Sequence, residues 1–539
     1  MQKHFWPIDW VVLIFYFVGT MGVGFYFYRR SRSREGFTAA GRSLPGWACG
    51  LSIFATYLSS ISFLALPGKS FSGNWNPFVF SLSLPVATWI AVRFFLPYYR
   101  KTGEVSAYAH LEHRFGPWAR MYASFFYILT QLARIGVVTY LMALPLSLLL
   151  NWDIRILIMV TGISVTIYSF VGGIIAVIWT DVFQAIVLMV GVVVCAFLIL
   201  FNMPQGPEQV FQIAAEHHKF SLGSFGSSLS ESTVWVVFVY GIVINLQNFG
   251  IDQSYIQRYI ASKNDTEARR SILAGGWLYL PISALFFFIG TGLFAYYKVH
   301  PEELADIRFQ VAKQQLLQEG FDSGQEEFLL AVHERSSLLK EEDIGDKVFP
   351  YFIGKMLPPG ITGLLVAAIF AAAMSTISTS LNSSATLIAS DWYQRYIRPD
   401  ASEKQFMMVL YISTILWGLL GTGLSLLLIN MTSALDTWWI LSGILGGGML
   451  GLFLLGLISQ KVNNPIAAAS VILGLLVIAA MTLSSRISLP VFLKNRFHSF
   501  LIPVFGTLTI LLAGLLLSLL FQSRKNHNSN ISQDSYKQP

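Results

Sequence analysis

Apolar runs recur along almost the whole chain, each long enough to cross a bilayer. A spanning helix needs about 20 such residues. Runs of that kind lie at about 8–28, 47–72, 77–99, 119–149, 154–172, 176–201, 233–256, 271–297, 359–392, 405–430, 437–459, 464–484 and 498–521. Inside lipid every backbone N–H and C=O must be satisfied within the protein, which makes runs of this length helices. The expected fold class is an all-α polytopic membrane protein with about 13 transmembrane helices. Several runs exceed what a straight crossing needs, so tilt, interruption or extension beyond the bilayer is expected there.

Composition points the same way. Charged residues make up 12% of the 539 positions and hydrophobic ones 54%, against roughly 25% charged in an ordinary soluble domain. Mean hydropathy is +0.58. A water-soluble protein of this size would need far more polar surface. Soluble enzymes, disordered proteins and nucleic-acid binders are therefore set aside. Cys49 and Cys195 are too few for a disulfide scaffold or a Cys-rich metal site, and both sit in apolar runs as small core hydrophobes. The first run lacks a basic leader and a small-residue cleavage site, so it reads as a helix and not a signal peptide.

Basic residues set the expected orientation. With the N-terminus outside, the inner loops hold Arg29, Arg30, Arg32 and Arg34, then Arg100, Lys101, Arg114 and Arg120. They also hold Arg258, Lys263, Arg269, Arg270, Arg395, Arg398, Lys404 and Lys461, and the tail adds Arg524 and Lys525. The short outer loops hold only Arg155, Lys219, Arg486, Lys494 and Arg496. The positive-inside rule then gives N-terminus out and C-terminus in. The +7 balance needs no anionic polymer as partner. The outer segment from Val299 to Gly345 reads as short amphipathic helices lying over the outer face, as a lid or cap. The tail from Ser523 to Pro539 is polar and is expected to be disordered.

Ionisable residues inside spans are costly and usually functional. Arg134 lies near the middle of the fourth run and Asp181 near the inner end of the sixth. An ion pair between them is the structural alternative, and their different depths argue against it. Arg93 lies close to an end, where it can snorkel. Hydroxyls cluster in Thr56-Tyr57-Leu58-Ser59-Ser60-Ile61-Ser62 and again from Ser375 to Ser384. At 3.6 residues per turn Ser375, Ser378, Thr379 and Asn382 share one helix face. Small hydroxyls also serve ordinary helix contacts, but eight polar residues in ten exceed that need. Hard cations want several oxygens, which hydroxyls and carbonyls freed at a helix break can supply. Asn245-Leu246-Gln247-Asn248-Phe249-Gly250-Ile251-Asp252-Gln253 has the Gly and carboxamides of an unwound segment. These features alone suggest an ion-coupled transporter. His110-Leu-Glu-His113 has metal-like spacing but lies in an inner loop and reads as structural, and His217-His218 reads as surface.

Five ordered motifs then resemble the sodium/solute symporters, over about residues 5–522. They are Gly41-Arg42-Ser43-Leu44-Pro45-Gly46-Trp47, Ser106-Ala107-Tyr108 with Leu111-Glu112-His113-Arg114-Phe115, and Gly172-Gly173 with Ala176-Val177-Ile178-Trp179-Thr180-Asp181. Asp252-Gln253 with Gln257-Arg258-Tyr259, and Ser380-Leu381-Asn382-Ser383, complete the set. The chain looks most like the bacterial sialic acid members. The resemblance implies a LeuT-like fold of two inverted five-helix repeats with one leading and two trailing helices. The divisions would be 1–46, 47–201, 202–232, 233–459, 460–522 and 523–539. It further implies a first Na⁺ site from the carbonyls of Ala55, Leu58 and Ala372 and the hydroxyls of Ser375 and Thr376. A second Na⁺ would take Asp181, Ser375, Ser378 and Thr379. Arg134 would hold a substrate carboxylate, assisted by Ser59 and Ser62.

One departure is Ser81, where sialic acid members carry Gln and sugar members Glu. The expected activity is Na⁺ symport of a small organic anion into the cell across the plasma (inner) membrane, by a monomer with no enzymatic step and no nucleic-acid partner. A neutral sugar, an amino acid or another monocarboxylate remains open as substrate, as does a Na⁺-dependent membrane sensor as a different class.

Overall fold

The computed structural model describes residues 5–28, 33–150, 152–171, 173–321, 326–429, 431, 433–484 and 495–534, the last 14 of these by backbone only. Arg29, Arg30, Ser31, Arg32, Gly172, Arg486, Lys494 and the last five residues of the tail lie outside the described residues, as do the side chains of Arg524 and Lys525. Every regular element among the described residues is helical, apart from an isolated bridge between Leu44 and Ser262.

The leading helix α1 spans Pro7–Tyr28. The first half comprises a broken span α2 (Gly46–Tyr57) and α3 (Ile61–Ser72), then α4 (Phe78–Thr102), α5 (Pro117–Leu150), α6 (Ile154–Val171) and α7 (Ile174–Phe201). The second half opens on a second broken element, α8 (Val234–Ile251) and α9 (Gln253–Ala261), followed by α10 (Asp265–Val299). Three outer helices follow: α11 (Pro301–Gln318), α12 (Glu326–Leu338) and α13 (Glu341–Met356). Then come α14 (Ile361–Leu387), α15 (Glu403–Leu427), α16 (Ala434–Ile458), α17 (Asn464–Leu483) and α18 (Leu501–Asp534). Among the described residues eleven helices are long and apolar enough to cross a membrane, and the bent α2–α3 pair makes a twelfth if it is one span. The run at 154–172 forms a shorter apolar helix, so a count of 13 depends on taking α6 as a crossing.

Both breaks have local causes. At the first, Leu58 leaves helical geometry (φ −80°, ψ 112°) and the two segments meet at 58°. Ser59 Oγ takes the N–H of Ile61 at 3.2 Å, offering the backbone an alternative to the helix ladder. At the second, Asp252 (φ −73°, ψ 122°) caps α9 by accepting from the Ser254 N–H at 2.8 Å. The stretch Asn245–Gln253 is therefore not unwound as expected. It stays helical to Ile251 and breaks at one residue. Its carboxamide at Asn245 bonds sideways to Phe80 O and Ser83 Oγ, and Tyr57 donates to it, so it does not compete for its own backbone.

The outer segment does form helices. One of them, α13, lies on α3 where Gly345 meets the backbone of Gly68, and Asp346 accepts from the Ala434 N–H at 2.8 Å. Lys219 in the other outer loop donates to Phe71 O (2.6 Å) and Gly73 O (2.9 Å), and burial pulls its ammonium down to about 8. The tail differs from the disordered expectation, since α18 carries on to Asp534. A helix already nucleated by its spanning part propagates one hydrogen bond per residue into polar sequence.

The inner-face charges are also networked. Arg120 bridges Asp391 (2.6 Å) and Glu112 (2.8 Å), and Arg395 joins Glu112 at 2.6 Å. Arg258 corrects the orientation count: it is wholly buried, inside α9, and is no loop residue.

Helices α3 and α10 touch backbone to backbone. A Cβ placed on Gly290 would fall 2.1 Å from the Pro67 carbonyl oxygen, which has no flexible end to move. Gly290→Ala should therefore cost about 1–3 kcal/mol and lower the melting temperature in detergent. Gly423→Ala, where nothing lies within 4 Å, should leave it unchanged. Equal melting curves for the two variants would show that α3 and α10 are not packed this closely.

Candidate functional site

A cavity lies between the first break and the second. Its walls come from α2–α3 (Tyr57, Ser59, Ser62), α4 (Phe80, Ser81), α5 (Gln131, Arg134), α8 (Gln247, Asn248), α9 (Tyr255), α10 (Tyr279) and α16 (Trp438, Trp439). Such a mixture of aromatic surface and a few converging polar groups suits a small polar solute.

Arg134 is the charged group that projects into it from mid-helix. It is 8% exposed, and its Nη2 donates to the carbonyl of Thr56 at 2.6 Å. Its guanidinium lies over the Trp438 ring at 5.7 Å. Among the described residues no carboxylate lies within ion-pair distance of it, so the expected absence of an Asp181–Arg134 pair holds. The Thr56 contact uses one of five N–H donors and leaves a planar fork for a ligand. Ser81 sits in the cavity wall, its hydroxyl 2.8 Å from that of Ser283 on α10. Asp252 lines the cavity too, but its carboxylate is held by Tyr127, Gln131 and Ser254.

The hydroxyl run of α14 meets the first break. Ser375 Oγ lies 2.9 Å from Ala55 O and 3.1 Å from Ala372 O, and Thr376 Oγ1 lies 3.0 Å from Ala372 O. The structure thus gathers four of the five residues named for the first cation. Leu58, the fifth, is the residue at which α2 ends. Two carbonyls and two hydroxyls, all buried, are the neutral oxygens a hard monovalent cation takes.

The second set is only partly as expected. Asp181 and Thr379 are brought together, but through a third residue. Arg258 Nη2 donates to Asp181 Oδ2 at 2.9 Å and to Thr379 Oγ1 at 2.7 Å. Ser52 Oγ donates to the same Asp181 oxygen at 2.5 Å and receives Arg258 Nε at 2.7 Å. Ser378 Oγ donates to the Ser375 carbonyl at 3.2 Å. Among the described residues Asp181 Oδ1, which is buried, has no hydrogen-bond partner.

Other candidates resolve as structural. His110 is packed against Tyr98 (4.3 Å) and Phe453 (5.2 Å), and burial lowers its imidazole to about 4. His113 faces Glu104 at 3.2 Å. Among the described residues no three His, Cys, Asp or Glu side chains gather as a metal site. Both cysteines are buried and free.

Sequence reasoning missed Arg258, Gln131 and Trp438. Arg258 carried a usable signal: it follows Asp252 by six residues inside a short segment whose other members are mostly apolar or aromatic. Gln131 precedes Arg134 by three, so the two share a helix face.

The sodium:solute symporter family profile matches residues 37–474. A sodium/sialic acid symporter of Aliivibrio fischeri is 32% identical, over 97% of this chain and 95% of its own. One of Proteus mirabilis is also 32% identical, over 99% of this chain and 100% of its own. A solved structure described as the substrate-bound outward-open state of a Na⁺-coupled sialic acid symporter superposes with a TM-score of 0.81 at 30% identity. That match covers 96% of this chain and 98% of the other. By family profile, by identity over its full length and by fold, this chain belongs to the sodium:solute symporter family and is a secondary transporter coupled to Na⁺.

Proposed function

We propose that the chain uses the Na⁺ gradient to import sialic acid, or a related acidic sugar, across the plasma (inner) membrane. The observation that carries this reading is Arg134: a buried arginine in the central cavity, without a carboxylate partner, whose fork fits a planar carboxylate. The two sialic acid symporters at 32% identity support the substrate class. The roles are these. Arg134 binds the carboxylate, with Ser59 and Ser62 beside it. Ala55, Leu58 and Ala372 carbonyls with Ser375 and Thr376 hydroxyls hold the first Na⁺. Asp181, Ser375, Ser378 and Thr379 hold a second. The transporter works as a monomer, N-terminus outside and C-terminus in the cytoplasm.

A second reading rests on Ser81. Its short hydroxyl is spent on Ser283, so it offers no long amide to a sugar ring. A monocarboxylate that needs no amide partner suits such a wall. Uptake of N-acetylneuraminate into proteoliposomes, in competition with simple monocarboxylates, separates the two. Lack of Na⁺-dependent uptake of every anion would overturn both.

Arg134→Ala should weaken the anionic substrate at least about 100-fold, since two charge-assisted hydrogen bonds go with it. Arg134→Lys should also be poor, because a point charge makes no two-pronged contact. Isothermal titration with N-acetylneuraminate measures both, and unchanged affinity in either variant would remove Arg134 from the site.

Ser375→Ala with Thr376→Val should raise the Na⁺ concentration for half-maximal uptake at least about tenfold, since two of five oxygens leave the first site. Wild-type Na⁺ dependence would reduce these hydroxyls to helix packing.

Stoichiometry has an energetic signature. Each charge moved inward is worth about 2.3 kcal/mol per 100 mV, and a tenfold gradient about 1.4 kcal/mol per ion. Two Na⁺ with one monoanion leave about 5 kcal/mol at about 100 mV, a concentrating ratio of several thousandfold. One Na⁺ is electroneutral with the anion and gives about tenfold. Uptake should therefore carry inward positive current with a Hill coefficient for Na⁺ approaching two. Ser378→Ala combined with Thr379→Val should lower that coefficient towards one. Electroneutral transport of a monoanion by the unaltered protein would reject the second ion.

A further inference from the structure

Arg258 occupies two of the oxygens proposed for a second Na⁺, Asp181 Oδ2 and Thr379 Oγ1. It is 0% exposed, as is Asp181. Its four donations go to Asp181, Thr379, Ser52 and the Ser254 carbonyl, the last at 2.6 Å, so the guanidinium is anchored on its own helix and aimed across at α7 and α14. Asp181 meets this cation with Oδ2 alone. Its Oδ1 is buried and has no partner among the described residues, leaving one carboxylate oxygen for a mobile ion. We propose that Arg258 is a tethered counter-cation: it neutralises Asp181 when the second Na⁺ is absent and repels that ion when it is present. It thereby sets the release of Na⁺ and permits the empty carrier to return. This rests on the second-site reading given above.

Charge bookkeeping carries the step. A symporter that imports repeatedly must reorient with its sites empty. With Arg258 the empty site is neutral and the loaded site carries one positive charge. Without Arg258 the empty site would carry a buried bare carboxylate, which is strongly unfavourable, and the loaded site would be neutral. The arginine therefore shifts the balance from holding Na⁺ towards letting it go. Its mounting suits this: α9 begins at the Asp252 break, so movement of that short helix changes the distance between the two positive charges at Asp181.

The test uses purified full-length protein in proteoliposomes, with NaCl titrated as the binding probe and N-acetylneuraminate as the transported anion. Arg258→Gln should tighten Na⁺ binding at least about tenfold, by removing a like charge a few ångströms away. Net uptake should fall at least about tenfold more than substrate exchange, because exchange needs no empty return. Arg258→Lys keeps the charge and should recover most of the net uptake. Arg258→Gln with Asp181→Asn leaves no buried charge and should also restore net uptake relative to exchange, now with a Hill coefficient near one. Weaker Na⁺ binding in Arg258→Gln, with net uptake and exchange falling together, would overturn the proposal and leave Arg258 as a brace. Should the single variant fail to fold, absence of the charge-preserving rescue by lysine overturns it equally. If the double variant keeps a Hill coefficient of two, the second-site reading itself fails. If that coefficient drops but Arg258→Gln leaves Na⁺ affinity unchanged, only the counter-cation role is lost.

Discussion

Two consecutive carbonyls at the end of α2 tie the molecule together. Inside a membrane a broken helix must find partners for the C=O groups it frees. Here Ala55 O is taken by Ser375 Oγ from α14, and Thr56 O by the Arg134 guanidinium from α5. The oxygen proposed for the first Na⁺ and the oxygen that holds Arg134, the arginine proposed for the substrate, thus belong to adjacent residues of one backbone. A cation that draws in Ala55 O also fixes the peptide unit on which Arg134 leans. Coupling between ion and anion needs no long pathway under this geometry, because both ligands act on the same turn.

Buried charge is treated in two opposite ways. Around Arg258 every positive group has an acid or a polar acceptor in place, and the inner cluster of Glu112, Arg120, Asp391 and Arg395 repeats the pattern nearer the surface. Among the described residues Arg134 meets the Thr56 carbonyl, the Trp438 face and the Tyr255 hydroxyl, with no carboxylate at ion-pair distance. Buried charge without a counter-charge is expensive; Lys219 in the outer loop bears that cost with two carbonyls and the Phe294 ring, and Arg134 bears it inside the cavity. A ligand carboxylate would relieve it. Among the described residues the two arginines thus differ in what faces them: Arg258 is already paired with a carboxylate of the protein, and Arg134, the one proposed to meet a ligand carboxylate, is not.

Much of this was legible in the residues. Apolar runs of bilayer length announce the helices, and the clustered hydroxyls of Thr56–Ser62 and Ser375–Ser384 mark the two segments that meet at the first break. What stayed hidden were partners separated widely in sequence. Arg258 looks like a loop charge, since it follows the seventh apolar run and precedes Lys263 and Arg269. Only the tertiary fold brings it across to Asp181, 77 positions earlier. The carboxamides near Asn245 look like the makings of an unwound stretch, yet α4 offers Asn245 better acceptors than its own backbone does. The tail looks disordered by composition, a property blind to the helix that feeds into it.

The two broken elements are chemically unequal, and that inequality assigns their roles. Asp252, at the second, is saturated from its own neighbourhood: Tyr127 and the Ser254 N–H and hydroxyl bond one oxygen, and Gln131 approaches the other at 3.3 Å. A residue with that many donors in place gains little from an incoming ion and acts as a fixed N-cap. The first break is held instead by a hydroxyl and a guanidinium, each of which a ligand can engage without leaving a backbone group unpaired. A cation can insert between Ser375 and the Ala55 carbonyl, since a hydroxyl oxygen can ligate a cation and its proton can turn to another acceptor. Arg134 can keep Thr56 while its remaining donors turn to a carboxylate. On the proposed site assignments the first break is therefore the element whose partners a ligand can exchange, and the second is held by partners of its own.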